Sequence, residues 1–233
     1  MNSFDLGIIH FLNTFAQRNM AADEVLWALT HNVLALGGVS FTLFWYAWFH
    51  DRDARSENRE LLIFGLLAAM ASLFIARVIA AALPFRVRPL HNPALSFMLP
   101  HGADPSTLVG WSSFPSDHAA VFFCLAMTLW FVSKPLGGLA FLHAIFVVSL
   151  PRVYFGIHYP TDVIAGAVLG IGVASLCKIA SLRKAATRHL LHWRDTRPDI
   201  FYAALFFFTF EAAELLNSVR NLLLRSLHLA RLL

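Results

Sequence analysis

Long apolar runs separated by short charged clusters dominate the chain. Val25 to Phe49 carries no formal charge apart from a protonatable His31, and Leu61 to Leu83 is interrupted only by Arg77. A hydrocarbon core of about 30 Å needs roughly 20 consecutive apolar helical residues, so both runs are long enough to span a bilayer. Shorter runs cover residues 118–133, 137–150 and 163–180, and each reaches a full span if its helix continues into the polar residues beside it. A sixth run, Ile200 to Phe210, leads into NSVRNLLLRSLHLARLL, where Arg220, Arg225 and Arg231 recur among leucines at helical spacing. That tail reads as a basic amphipathic helix on an anionic leaflet, while 200–217 can cross, re-enter or lie flat. Near the start, Ile8, Ile9, Leu12 and Phe15 share one helical stripe, which predicts a helix lying in the interface plane.

The pattern therefore predicts an all-α polytopic bundle of five or six transmembrane helices. It divides into an interfacial helix (1–24), a membrane bundle (25–180), a basic segment (181–199) and a hydrophobic to amphipathic helical segment (200–233). Composition agrees, with 58% hydrophobic and 14% charged residues and a mean hydropathy of +0.63, which excludes soluble, disordered, collagenous and disulfide-framework classes. Cys124 and Cys177 both sit inside apolar runs, where a thiol is an ordinary packing residue. The first residues lack the basic start and small-residue cleavage site of a secretory signal, so the N-terminus is expected to be retained.

Charge sets the expected orientation. Arg52, Arg55, Arg59, Lys134, Lys178, Arg183, Lys184, Arg188, Arg194 and Arg197 fall on one side of the predicted spans, which the positive-inside rule makes cytoplasmic. The N-terminus, the 84–117 loop and the 151–162 loop then face outward, into the periplasm if the source is a bacterium. A pI near 9.4 follows from these residues and the tail rather than from nucleic-acid binding.

Three polar clusters stand at the outward ends of the spans: Arg88-Pro89, Pro115-Ser116-Asp117-His118, and Arg152 with His158 and Asp162. Arginine stays protonated and presents a planar fork suited to phosphate oxygens. Ser116 sits where the cap of one helix belongs, and Thr161 or Asp162 where that of another does, so free N–H groups and positive dipole ends point at the same surface. Together these make an anion site. His158 precedes Asp162 by four positions, close enough for the carboxylate to accept one ring N–H and leave the other nitrogen free to attack. In this reading His158 attacks phosphorus, and His118 protonates the departing oxygen and then activates water. Arg88, Arg152 and the amides around Ser116 and Asp117 stabilise the charge on the equatorial oxygens.

These residues resemble the type 2 phosphatidic acid phosphatase superfamily, whose pattern is Lys-x6-Arg-Pro, Pro-Ser-Gly-His and Ser-Arg-x5-His-x3-Asp. Here it reads Ala81-x6-Arg88-Pro89, Pro115-Ser116-Asp117-His118 and Pro151-Arg152-x5-His158-x3-Asp162. Asp117 in the second motif, the upstream LPHGAD and the segment RVYFGIHYPTD are similar to the undecaprenyl diphosphate phosphatases of the bacitracin-resistance type. The resemblance spans about residues 25 to 180. It implies hydrolysis of an isoprenyl diphosphate lipid to its monophosphate in carrier-lipid recycling, at an outward-facing site in a bacterial inner membrane, with no metal and no cofactor. Membrane lipids are the other expected partners. Three positions depart from the pattern: Ala81 replaces the lysine, with Arg77 one turn earlier as a substitute phosphate contact; Pro151 replaces the serine; and Asp117 adds a carboxylate beside an anionic substrate.

The same catalytic residues serve phosphatidylglycerophosphate, phosphatidic acid and lipid A phosphatases and lipid phosphotransferases, and a non-enzymatic lipid transporter would need only the anion site. Outside the motifs, His31, Asn32 and His143 read as helix–helix hydrogen-bonding residues, and His189 and His192 as solvated. Trp111 reads as an interface anchor, His101 and Asp104 as a capped turn or a distal phosphate contact, and Gly166, Gly170 and Ala174 as a close-packing stripe. No HExxH, CxxC, glycine-rich phosphate loop or GxSxG elbow occurs.

Overall fold

The computed structural model describes residues 2–50, 55–213 and 215. Its helices are α1 (Ser3–Asn13), α2 (Met20–His31), α3 (Val39–His50), α4 (Arg55–Ala82), α5 (Asp117–Val132), α6 (Lys134–His143), α7 (Leu150–Tyr154), α8 (Pro160–Ser175), α9 (Ala180–Thr196) and α10 (Pro198–Ala213). No strand occurs among the described residues. The expected amphipathic tail with Arg220, Arg225 and Arg231 lies outside them.

Ser56–Ala82, Lys134–Tyr154 and Pro160–Lys178 are each long and apolar enough to cross a membrane, making this a multi-pass membrane protein. The second is one run in which a π-helical stretch, Ala144–Ser149, joins α6 to α7. Pro151 explains the widening: it has no N–H for the preceding turn, and its ring would clash with the carbonyl four residues back in a regular helix.

The apolar run Val25 to Phe49 is not the straight span its composition suggests. It breaks into Met20–His31 and Leu34–His50, bent by 70°. Asn32 causes the break, because its backbone is extended and its side-chain oxygen caps the Leu34 and Ala35 N–H groups (2.9 and 3.1 Å). Asn32 is therefore a cap and not a helix–helix contact. His143 does bridge helices, meeting the Ala35 carbonyl at 2.7 Å and Ser40 at 3.2 Å.

The central helix is α5, whose residues from Ala119 to Ala126 are all buried. It is only 16 residues long and packs against α3, α4, α6 and α8. Its approach to α8 is set by glycine. A Cβ at Gly166 would collide with the Ser116 carbonyl, and one at Gly170 with the Ala120 carbonyl, so α8 lies with its backbone against that of α5. Gly170→Val is accordingly expected to cost about 2–3 kcal/mol through overpacking, read as a lower thermal unfolding midpoint in detergent. Gly172→Val, whose Cβ meets nothing within 4 Å, should leave the midpoint unchanged.

The stripe on α1 does more than lie on an interface. Ile9 is buried against Leu95, Val153 and Tyr159, with Ile8 and Leu12 packed on that cluster, while Phe15 is exposed. This docks α1 on the segments that begin α8. At the opposite end of the bundle, an ion pair between Glu60 and Arg183 (2.9 Å) ties α4 to α9.

Candidate active site

A cavity of about 680 Å³ opens where α4 ends and α5 and α8 begin. Arg77, Arg88, Asp117, His118, Arg152 and His158 all line it, bringing together residues up to 81 positions apart. Ser116 and Asp162 are buried immediately behind this lining.

Local capping explains how the starts of α5 and α8 are presented. Ser116 is the N-cap of α5, with its hydroxyl accepting from the Ala119 N–H at 3.4 Å and its own N–H donating to the Asp162 carbonyl at 3.0 Å. Tyr159, rather than Thr161 or Asp162, is the N-cap of α8, and Pro160 takes the first helical position. Asp162 is one turn in, where its carboxylate accepts the Tyr159 N–H at 2.8 Å. Gly156 has a φ of +65°, and a Cβ there would press on the Leu90 N–H and the Phe97 ring, so only glycine lets the chain turn between Arg152 and His158.

His158 is almost fully buried, and its Nδ1 lies 2.7 Å from the Ser113 carbonyl. A carbonyl only accepts, so Nδ1 must carry the proton and Nε2 keeps its lone pair. The spacing argument expected Asp162 to be this acceptor, but Asp162 Oδ2 is 3.7 Å away. The reason is that Asp162 is already committed to the Tyr159 N–H and to the Arg86 guanidinium. Burial lowers the pKa of His158 below the ordinary 6.5; Asp162 opposes the shift and the nearby Arg88 charge adds to it.

Arg88 also proves to be a loop organiser. Its three guanidinium nitrogens donate to the carbonyls of Trp111 (3.2 Å), Ile157 (2.6 Å) and Ser112 (3.0 Å), stapling the long loop to the His158 turn. Burial lowers its pKa below the ordinary guanidinium value, against the raising influence of Asp117 and Asp162, and it stays cationic at any working pH. Arg152 is equally buried and returns one N–H to the Val148 carbonyl a turn back. On the α5 side, Asp117 Oδ1 meets His118 Nδ1 at 2.9 Å, and Arg77 Nε lies 3.7 Å from Asp117 Oδ2. The Asp117 and His118 side chains remain 30% and 23% exposed, whereas His158 lines the same cavity from a more deeply buried position.

Sequence reasoning places Arg86 among the outward-loop arginines but gives no site role to it, to Asp5 or to Ser113. Arg86 stacks on the Tyr159 ring (4.2 Å) and joins Asp162 to Asp5. Asp5, wholly buried, accepts from the Thr161 N–H (2.9 Å), the Thr161 hydroxyl (2.7 Å) and Arg86 (2.8 Å). The RVRP sequence placed Arg86 beside a motif residue, which was the one available hint. Nothing local to Asp5 marks it, and Ser113 acts through its backbone. Asp104 closes a turn on Ser106, and its carboxylate pKa is lowered by those hydrogen bonds.

The family model of the PAP2 superfamily matches residues 62–185, more than half of the chain, and the chain belongs to that superfamily. It is a membrane phosphatase of the lipid-phosphate class. Among curated relatives, the chain is 23% identical over 171 residues to the bacitracin transport permease protein BcrC of Bacillus licheniformis, covering 73% of this chain and 77% of the relative. It is 21% identical over 169 residues to the undecaprenyl-diphosphatase BcrC of Bacillus subtilis, covering 72% and 80%. A solved transmembrane PAP2-type phosphatidylglycerolphosphate phosphatase from Bacillus subtilis aligns at 24% identity with a TM-score of 0.49, covering 77% of this chain and 85% of that one.

Proposed function

We propose that the protein hydrolyses undecaprenyl diphosphate to undecaprenyl phosphate and inorganic phosphate, acting on the outward face of a bacterial cytoplasmic membrane. One observation carries this reading: two histidines and the arginines Arg88 and Arg152 line a cavity that apolar side chains also line. Val33 and Leu36 from the α2–α3 break, and Ala76, Ala80 and Phe85 from the end of α4 and beyond, supply that apolar lining. Such a cleft accepts a charged headgroup and a prenyl chain together. The undecaprenyl-diphosphatase name of a relative and the similarity of the motifs to that type favour this lipid over other phosphates. The Lys/Arg asymmetry supports the outward placement.

His158 Nε2 attacks the terminal phosphorus, and the bond from phosphorus to the bridging oxygen breaks as that oxygen takes a proton from His118. Undecaprenyl phosphate departs, leaving a phosphohistidine. His118 then removes a proton from water, whose oxygen attacks phosphorus, releasing phosphate and restoring Nε2. Arg88 and Arg152 balance the charge on the three equatorial oxygens throughout.

The test is phosphate release from undecaprenyl diphosphate by detergent-purified protein in EDTA, for wild type, His158→Ala and His118→Ala. Release by wild type and loss in both variants is expected. Wild-type release from phosphatidylglycerophosphate or lipid A with none from undecaprenyl diphosphate would move the substrate assignment. Activity that disappears with EDTA would reject the mechanism.

The pH profile follows from His158. Attack needs the neutral ring, and burial favours that form to lower pH, so the acid limb of kcat/KM is expected below pH 6.5. An acid limb above that value would contradict the buried, Ser113-bonded imidazole.

A further inference from the structure

Two departures from the family pattern meet in space. Where the pattern has lysine this chain has Ala81, and where it has glycine this chain has Asp117; Arg77, on the same face of α4 as Ala81, reaches Asp117 Oδ2 with its Nε at 3.7 Å. The other oxygen of Asp117 is 2.9 Å from His118 Nδ1. Arg77, Asp117 and His118 thus form a line along the cavity wall.

A carboxylate facing a diphosphate repels it, so its presence needs a compensating role and a compensating charge. Both neighbours supply one. A carboxylate oxygen only accepts, so it fixes the proton on Nδ1 and makes Nε2 the ring atom that exchanges a proton with substrate. Arg77 offsets the negative charge that would otherwise stand at the site. His158 receives the same orientation from the Ser113 carbonyl, so the two histidines are aligned by different acceptors.

We propose that Asp117 is the positioning residue of the general acid His118, and that Arg77 serves to hold and neutralise Asp117 rather than to bind phosphate. The proposal rests on the reading of His118 as proton donor. It makes the two departures one unit: the arginine is needed because the aspartate is there.

The experiment compares kcat/KM of Asp117→Asn, Asp117→Gly, Arg77→Ala and the Arg77→Ala/Asp117→Gly pair, with His118→Ala alongside. Each is measured on the lipid substrate and on p-nitrophenyl phosphate, whose nitrophenolate departs without a proton. Asp117→Asn is expected to lose about tenfold on the lipid and less than about threefold on p-nitrophenyl phosphate, because only the lipid's leaving oxygen needs the acid. Arg77→Ala should cost about tenfold with Asp117 present and less than about threefold in the Asp117→Gly background, a coupling that defines a shared function.

Equal losses on both substrates, or an Arg77→Ala cost that is the same in both backgrounds, would overturn the proposal. If His118→Ala keeps full lipid activity, the acid assignment falls and the role of Asp117 with it. If His118→Ala is inactive on the lipid while Asp117→Asn matches wild type, the pairing alone is wrong. Thermal unfolding midpoints of all variants establish that the comparisons are made on folded protein.

Discussion

Phosphate release by His158→Ala is expected to fall at least about 10⁴-fold, the scale on which removing a covalent nucleophile acts when oxyanion stabilisation remains. Three features concentrate the chemistry on this ring. It lines the cavity, its Nδ1 is held by the Ser113 carbonyl so that Nε2 is the free base, and it is buried enough to stay neutral. Arg88 and Arg152 are untouched by the substitution, so lipid binding should persist within a few-fold. Steady-state phosphate release, together with direct binding of the lipid to the variant, separates the two effects. Retained turnover would mean that another group attacks phosphorus. Loss of binding along with turnover would mean that the cavity had collapsed.

Asp5→Ala is expected to lower kcat/KM by about 10²- to 10³-fold, although Asp5 touches no substrate. Its carboxylate is the buried partner of Arg86 and of the first turn of α8. Breaking a buried charge pair by deleting one member costs up to about 3–5 kcal/mol; here the Thr161 N–H loses its acceptor and Arg86 loses one of its two carboxylate partners. The affected group here is Arg86, whose other nitrogen holds Asp162, and Asp162 in turn fixes the Tyr159 turn beside His158. Asp5→Asn keeps an acceptor for Thr161 while losing the charge, so an intermediate loss is expected. If Asp5→Ala retains wild-type kcat/KM in folded protein, α1 is only the interfacial anchor that its hydrophobic stripe suggests.

Asp5 also shows where sequence reasoning stops. The apolar stripe of α1 is legible because helical periodicity is local, but its partner Thr161 lies 156 positions away, and no pattern within α1 refers to it. A separation of 45 positions likewise hid Ser113, which acts on His158 through a main-chain carbonyl and so leaves no side-chain signal. Asn32 misled in the opposite direction. Its flanks are apolar enough for one continuous span, yet a single side chain that bonds its own backbone outweighs that continuity and bends the run by 70°.

What was legible is what short-range physics specifies. Hydropathy and run length marked the chain as helical and membrane-bound, and three of the runs became helices of spanning length. Cap chemistry located the start of α5, small residues at helical spacing marked the α5–α8 contact, and the motif spacings selected the histidines and arginines that line the cavity. Tertiary structure alone decided which acceptor orients His158, that Arg77 faces Asp117, and that α1 supports the starting turn of α8. These are pairings across the bundle, made by distance and direction after the helices have packed. One sequence can state which groups are available for such pairings, and only the packed arrangement can choose among them.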